Sequence, residues 1–245
     1  MRNVAVFLAA LSLLATCGVT MASAETIFKV DILDDTHTDA QYIEDGFVGW
    51  APRVGADTSN GNPNPIVTTI NNVTVTFDSG YSHQDRYRTY SELDGVPYEA
   101  LYRDTFWGRA ADAQSQGLDI TLGGLTPDQQ YTVALYCYGL AGWGGRQSCD
   151  WYANGNFAFN AAWDGNTVAT SDLPTAPDTF RHEVTVAADA NGNIALTSVA
   201  ASDNTASTTY WANCSAIELY AVPEPGTIAL LACVLLVVPF VRRRG

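Results

Sequence analysis

The chain has 245 residues, with 26 acidic against 12 basic side chains. All the acidic residues follow Ala24, whereas Arg2 and Arg242 to Arg244 sit at the two ends, so the stretch between stands near −18 (8 basic against 26 acidic). Such a surface repels nucleic acid and anionic headgroups and excludes both as partners, while it suits divalent cations or solubility outside a cell.

In chain order, residues 1–24 read as a signal peptide. Arg2 supplies the positive start, 4–15 an apolar run, and Ala22-Ser23-Ala24 a small-x-small site for signal peptidase. Thr16 before Cys17 spoils a lipoprotein box. Period-2 alternation then predicts strands at 27–33, 73–77, 118–122, 131–138, 157–163, 180–186, 194–199 and 216–220. Single helical turns are expected at 84–90 and 98–103, and 55–65 reads as a surface loop. Asn191-Gly192-Asn193 is a hairpin signal, and Gly123 to Asp128 forms a second turn. Eight short strands in about 200 residues predict an all-β domain over 25–221, a β-sandwich of jelly-roll type.

With Cys17 in the signal and Cys233 in the C-terminal apolar run, Cys137, Cys149 and Cys214 remain, an odd number for an oxidising compartment. Cys137 pairs with Cys149 or with Cys214, and the sequence does not choose. None has the close spacing of a zinc site.

Three groups of residues carry candidate chemistry. Aromatics gather after the strand at 131–138, with Trp143 in a glycine-rich loop and Trp151, Tyr152, Phe157, Phe159 and Trp163 beyond it. Indole and phenol rings stack on the C–H faces of sugars, so Trp143, Trp151 and Tyr152 with Arg146 and Asp150 form a candidate ligand platform. The alternative places Trp151, Phe157, Phe159 and Trp163 in the core. Asp31, Asp34, Asp35 and Asp39 lie within nine residues, an oxygen-rich run that would hold a structural calcium or form a solvated acidic turn. Asp85-Arg86-Tyr87-Arg88 and Arg103-Asp104 suggest an ion-pair network, or bidentate recognition of an acidic sugar. No GxSxG, HExxH or phosphate loop is present, and His37, His83 and His182 are scattered, so no catalytic residue is assigned.

The tail reads AVPEPGTIALLACVLLVVPFVRRRG. Residues 227–241 are uncharged and, as a helix, span roughly 22 Å, short of a hydrocarbon layer of about 30 Å. The arginines Arg242, Arg243 and Arg244 hold the end in the cytoplasm, with the body outside. Val222-Pro223-Glu224-Pro225-Gly226, this transmembrane helix and the basic tail (242–244) together resemble the PEP-CTERM sorting signal of bacterial exported proteins. That resemblance implies that residues 222–245 are read by an exosortase, cut near Pro223-Glu224-Pro225, and that the body passes from the inner membrane to the cell surface or matrix. Leu118 to Gly139, with Asp45-Gly46-Phe47, Asp85-Arg86 and 101–104, resembles galactose-binding-like β-sandwiches, which speaks for fold rather than ligand.

The function expected is an exported, non-catalytic carbohydrate-binding module with a polysaccharide partner. A structural or adhesive matrix protein is the alternative, and an envelope glycan hydrolase the third.

Overall fold

Alternation of apolar and polar residues sets the architecture, because each buried strand face must find another sheet. The computed structural model describes residues 24–52, 65–79, 82–109, 116–139, 145–164, 172–205 and 211–223; for 82–86, 109, 116 and 211 it describes the backbone only. Glu25–Val222 forms one compact unit. The signal peptide up to residue 23, the loop 53–64, Trp143 and the sorting tail from Glu224 to Arg244 lie outside the described residues. Among the described residues no helix is long and apolar enough to cross a membrane.

The strands are β1 (Glu25–Ile32), β2 (Val48–Trp50), β3 (Ile66–Ile70), β4 (Val73–Asp78), β5 (Ser82–Tyr87), β6 (Asp104–Arg109), β7 (Gln116–Gly123), β8 (Gln130–Tyr136), β9 (Arg146–Ala153), β10 (Asn156–Asp164), β11 (Arg181–Ala187), β12 (Ile194–Ala200), β13 (Trp211–Cys214) and β14 (Ala216–Ala221). One short helix, α1 (Glu99–Arg103), precedes β6. A five-stranded sheet runs β11-β8-β14-β1-β2 and a six-stranded sheet β10-β9-β12-β7-β4-β3, with β13-β6-β5 as a third. Pairing is antiparallel except between β1 and β2.

The inward residues of the two large sheets make one core. Phe28, Val30 and Ile32 of β1, Val133 and Leu135 of β8, and Ile217 and Leu219 of β14 meet Val75, Phe77, Ile120, Trp151 and Leu196. Burying each such side chain contributes about 1.5–3 kcal/mol. The fold is therefore an all-β sandwich. A strand occupies each of the eight expected positions, and α1 the second expected helical turn. Of residues 84–90, expected as the other turn, 84–87 instead lie in β5, which gains its hydrogen bonds from β6.

The turn chemistry also differs from expectation. Asn191-Gly192-Asn193 does not close a hairpin, because β11 pairs with β8 and β12 with β7 and β9. The turn carries the chain between sheets, and Gly192 is required there: its φ is +75° and a Cβ would sit 2.2 Å from the Leu125 carbonyl oxygen. Hairpins form instead at Asn71-Asn72, between β3 and β4, and at Asn154-Gly155, between β9 and β10, all four residues with positive φ.

Candidate functional site

The chain between β5 and β6 folds over part of the outer face of the five-stranded sheet. Leu93, Leu101 and Tyr102 pack there with Tyr136, Tyr138, Phe180 and Ala216 in a second apolar cluster. The rest of that face carries charge. Lys29, Glu218, Ala134 and Glu183 lie in one cross-strand row, and Asp31, Ala216, Tyr136 and Arg181 in the next. A methyl group alone separates Glu218 from Glu183 in the first row, and Arg181 bonds both carboxylates.

Glu218 is 2% exposed and accepts five bonds. Lys29 Nζ donates to Oε1 at 2.8 Å and Tyr136 Oη at 3.3 Å. Arg181 donates to Oε2 through Nε at 3.0 Å and Nη2 at 2.9 Å, and Tyr220 Oη donates at 2.7 Å. Burial alone would raise the Glu218 pKa, but the bonds from Lys29, Tyr220 and Arg181 outweigh it and hold the carboxyl below its ordinary range. Burial likewise works against the charge on Lys29, and Glu218 more than restores it.

Above this floor opens a cavity of about 430 Å³, lined by Lys29, Tyr98, Tyr136, Arg181, Glu218 and Tyr220, with Pro177 and Asp178 at its edge. That volume is in the range of small-molecule sites. Lys29 Nζ lies 5.5 Å from the Phe47 ring centre and 5.9 Å from that of Tyr220. Phe47 in turn contacts Tyr98 and Tyr136 edge-on. Tyr98 begins α1 in a left-handed conformation, φ 56° and ψ 44°, which costs a non-glycine residue about 1–3 kcal/mol and aligns its ring with the wall. Fixed cationic donors beside phenol rings suit a polar ring with one apolar face. Glu218, engaged on both oxygens, has no proton to give.

A second cavity, about 460 Å³, lies beside α1 between Gln41, Tyr42, Tyr87, Glu99 and Arg103. Here Arg103 bonds Glu99 and Asp94 and the carbonyls of Arg88 and Tyr90. Of the residues expected in an ion-pair network, Arg103 pairs with Glu99 and Asp94, which were not among them, and Asp104 accepts the Asp34 amide.

The platform expected around Trp143, which lies outside the described residues, divides. Trp151 faces the core at 0% exposure, so its indole is closed to any ligand: β9 alternates, and Trp151 shares the inward side with Cys149 and Ala153. Asp150 and Tyr152 point out of the six-stranded sheet beside Phe157 and Asn160 of β10, with Tyr152 and Phe157 ring centres 5.9 Å apart. Asn160 Nδ2 donates to Asp150 at 2.8 Å. Arg146 lies farther along β9 and pairs with Asp203 at 3.1 Å.

The four aspartates do not converge as a calcium site. Asp31 is buried and accepts the Glu44 amide at 2.8 Å; burial pushes its pKa to about 7. Asp34 bonds Thr36 and His37, and Asp39 heads the 3-10 turn Ala40–Tyr42. No group of three or more metal-ligating side chains forms among the described residues. Cys137 and Cys149 are not bonded either. Cys137 directly follows β8 and Cys149 lies within β9, and both thiols, with that of Cys214, are buried. Burial raises the Cys149 pKa to about 12.

No family model matches the chain, and no curated protein matches it. Among solved structures it is similar to the ANX2 ectodomain from Arabidopsis thaliana, with 10% identity and a TM-score of 0.48 over 82% of this chain and 50% of that one. It is similar also to a chain in the complex of the plant peptide RALF23 with FER and LLG2, with 10% identity and a TM-score of 0.49 over 86% and 55%. The chain thus spans about half the length of these solved chains.

Proposed function

We propose that this is an exported, non-catalytic carbohydrate-binding protein whose ligand sits in the cavity over Glu218. The observation that carries the reading is the buried Glu218 carboxylate holding Lys29 and Arg181 in place beneath the rings of Tyr98, Tyr136 and Tyr220. Prepositioned donors lose little side-chain freedom on binding hydroxyls, and the rings supply the stacking face. The non-catalytic reading is supported by the state of Glu218, which stays ionised and shares its lone pairs among Lys29, Arg181 and two tyrosines. The body belongs, in this reading, with jelly-roll, galactose-binding-like sandwiches; residues 1–24 direct export, and 222–245 act as a PEP-CTERM signal for an exosortase, leaving the body at the cell surface or in the matrix.

A glycan array probed with the full-length protein tests the binding. The account expects a saccharide whose affinity falls at least tenfold in Tyr98→Ala and Lys29→Met; no bound glycan of any class would remove it. Mass spectrometry of the surface-exposed protein tests the sorting, with a chain that begins after Ala24 and lacks Arg242 to Arg244 as the expected product.

A second reading, adhesion to a flat polymer, is favoured by the other outer face, where Val67 and Phe157 are the large exposed apolar residues.

A further inference from the structure

We infer that the cavity over Glu218 selects an acidic saccharide, one bearing a uronate carboxylate, and that Glu183 occupies the carboxylate's place in the free protein. The inference rests on the carbohydrate reading of the same cavity and adds the ligand's charge.

Two cations, Lys29 and Arg181, converge on the buried carboxylate of Glu218, and Arg181 holds a second carboxylate, Glu183, on its remaining nitrogen. Both cations are fixed, because Glu218 is buried and bonded on both oxygens. The guanidinium of Arg181 offers five N–H donors, of which Nε and one on Nη2 go to Glu218. Nη1 donates to Glu183 Oε2 at 2.7 Å, and Glu183 is 59% exposed. An exposed pair of this kind contributes little and exchanges readily. A ligand carboxylate can therefore replace Glu183 on Nη1 at small cost, while its ring lies along Tyr98 and Tyr220 and its hydroxyls reach Lys29. The geometry is the ordinary one for arginine and carboxylate, two parallel N–H donors meeting two oxygens. Asp178 lines the same cavity, and no hydrogen bond joins its side chain to Arg181 among the described contacts.

The probes are a mannuronate trisaccharide and its methyl ester, which keep the same rings and differ in charge. Calorimetry on the full-length protein is expected to show the acid bound at least tenfold more tightly than the ester, an advantage that shrinks as salt rises. Glu183→Gln folds normally, because the residue is exposed, and should raise affinity for the acid about threefold to tenfold with the ester unchanged. Asp178→Asn removes the same charge from the same rim without freeing Nη1 and should change affinity less than twofold. Equal gains in the two variants would overturn the placeholder role of Glu183. Equal affinity for acid and ester, or binding of neither, would overturn the inference as a whole. The carbohydrate reading would then stand or fall separately, on whether the array finds a neutral glycan that needs Tyr98.

Discussion

The two outer faces of the sandwich arise from the same alternation and carry opposite chemistry. On the five-stranded sheet the outward rows hold Lys29, Glu218, Arg181 and Tyr136, walled by Tyr98 from the chain between β5 and β6 and by Phe47 from the chain between β1 and β2. On the six-stranded sheet the outward positions hold Thr76, Thr121 and Thr197, the facing carboxylates Asp78 and Asp119, and the pair Tyr152 and Phe157. The first face carries a cavity beside the residues between β5 and β6 that pack on it; the second presents its outward side chains in cross-strand rows. A cavity, rather than the number of aromatic residues, separates a site for a small ligand from a surface for a large one.

The sharpest way to break the contrast is at Glu218. Glu218→Ala leaves Lys29 and Arg181 without their buried partner and should cost about 3–5 kcal/mol in denaturant unfolding. Asp150→Ala, its counterpart on the second face, should cost less than about 1 kcal/mol, since it removes a partly exposed bond to Asn160. Equal losses would mean that Glu218 is no more structural than a surface carboxylate.

Inward and outward aromatics on the β9–β10 hairpin give the next contrast. Trp151→Ala should destabilise by about 3–5 kcal/mol, and Phe157→Ala by no more than about 0.5 kcal/mol. A large effect at Phe157 would show that its ring is covered in the native protein.

Smaller is the dependence on pH, to which both faces contribute with the same sign. Burial raises the pKa of Asp31 to about 7; burial and then the neighbouring Asp78 raise that of Asp119 to about 6. A carboxyl with a raised folded-state pKa stabilises fully below its unfolded value, near 4, and that stability is lost as pH rises through 6 to 7. Thermal melts should therefore show a Tm about 5 °C lower at pH 8 than at pH 5, a gap that narrows in Asp31→Asn and, by less, in Asp119→Asn. A Tm that rises over this window would contradict the assignment.

Strands with clean alternation were legible in the sequence, and NNVTVTFD yields β4 nearly to the residue. Those that lack it were not. SHQDRY in β5 has no apolar periodicity, and RQSCDWYA in β9 mixes small polar residues with one indole, so pairing with neighbours decides both. Asn154-Gly155 carried a hairpin signal for β9–β10 as plain as the one at Asn191-Gly192. Turn residues fix local φ and ψ; which sheet the next strand joins is a tertiary matter.

The candidate site was less legible. Trp143 and Trp151 drew attention because tryptophan stands out in a sequence, yet burial claims Trp151. Lys29 lies 152 residues before Arg181, which lies 37 before Glu218 (29, 181, 218), and only the register of β1, β14 and β8 with β11 brings them together. A signal was present all the same: AIELYA places Glu218 and Tyr220 on the side opposite Ile217 and Leu219, and Lys29 is the chain's sole lysine.

The central claim is that ligand binds over Glu218 and not on the outer face of the six-stranded sheet. Heteronuclear NMR of Glu25–Val222, titrated with the saccharide bound most tightly on the array, tests it directly. The account predicts shift changes gathered at Lys29, Tyr98, Arg181 and Tyr220, with Tyr152, Phe157 and Thr197 unmoved. Changes centred on Tyr152 and Phe157, with Lys29 and Arg181 silent, would contradict it.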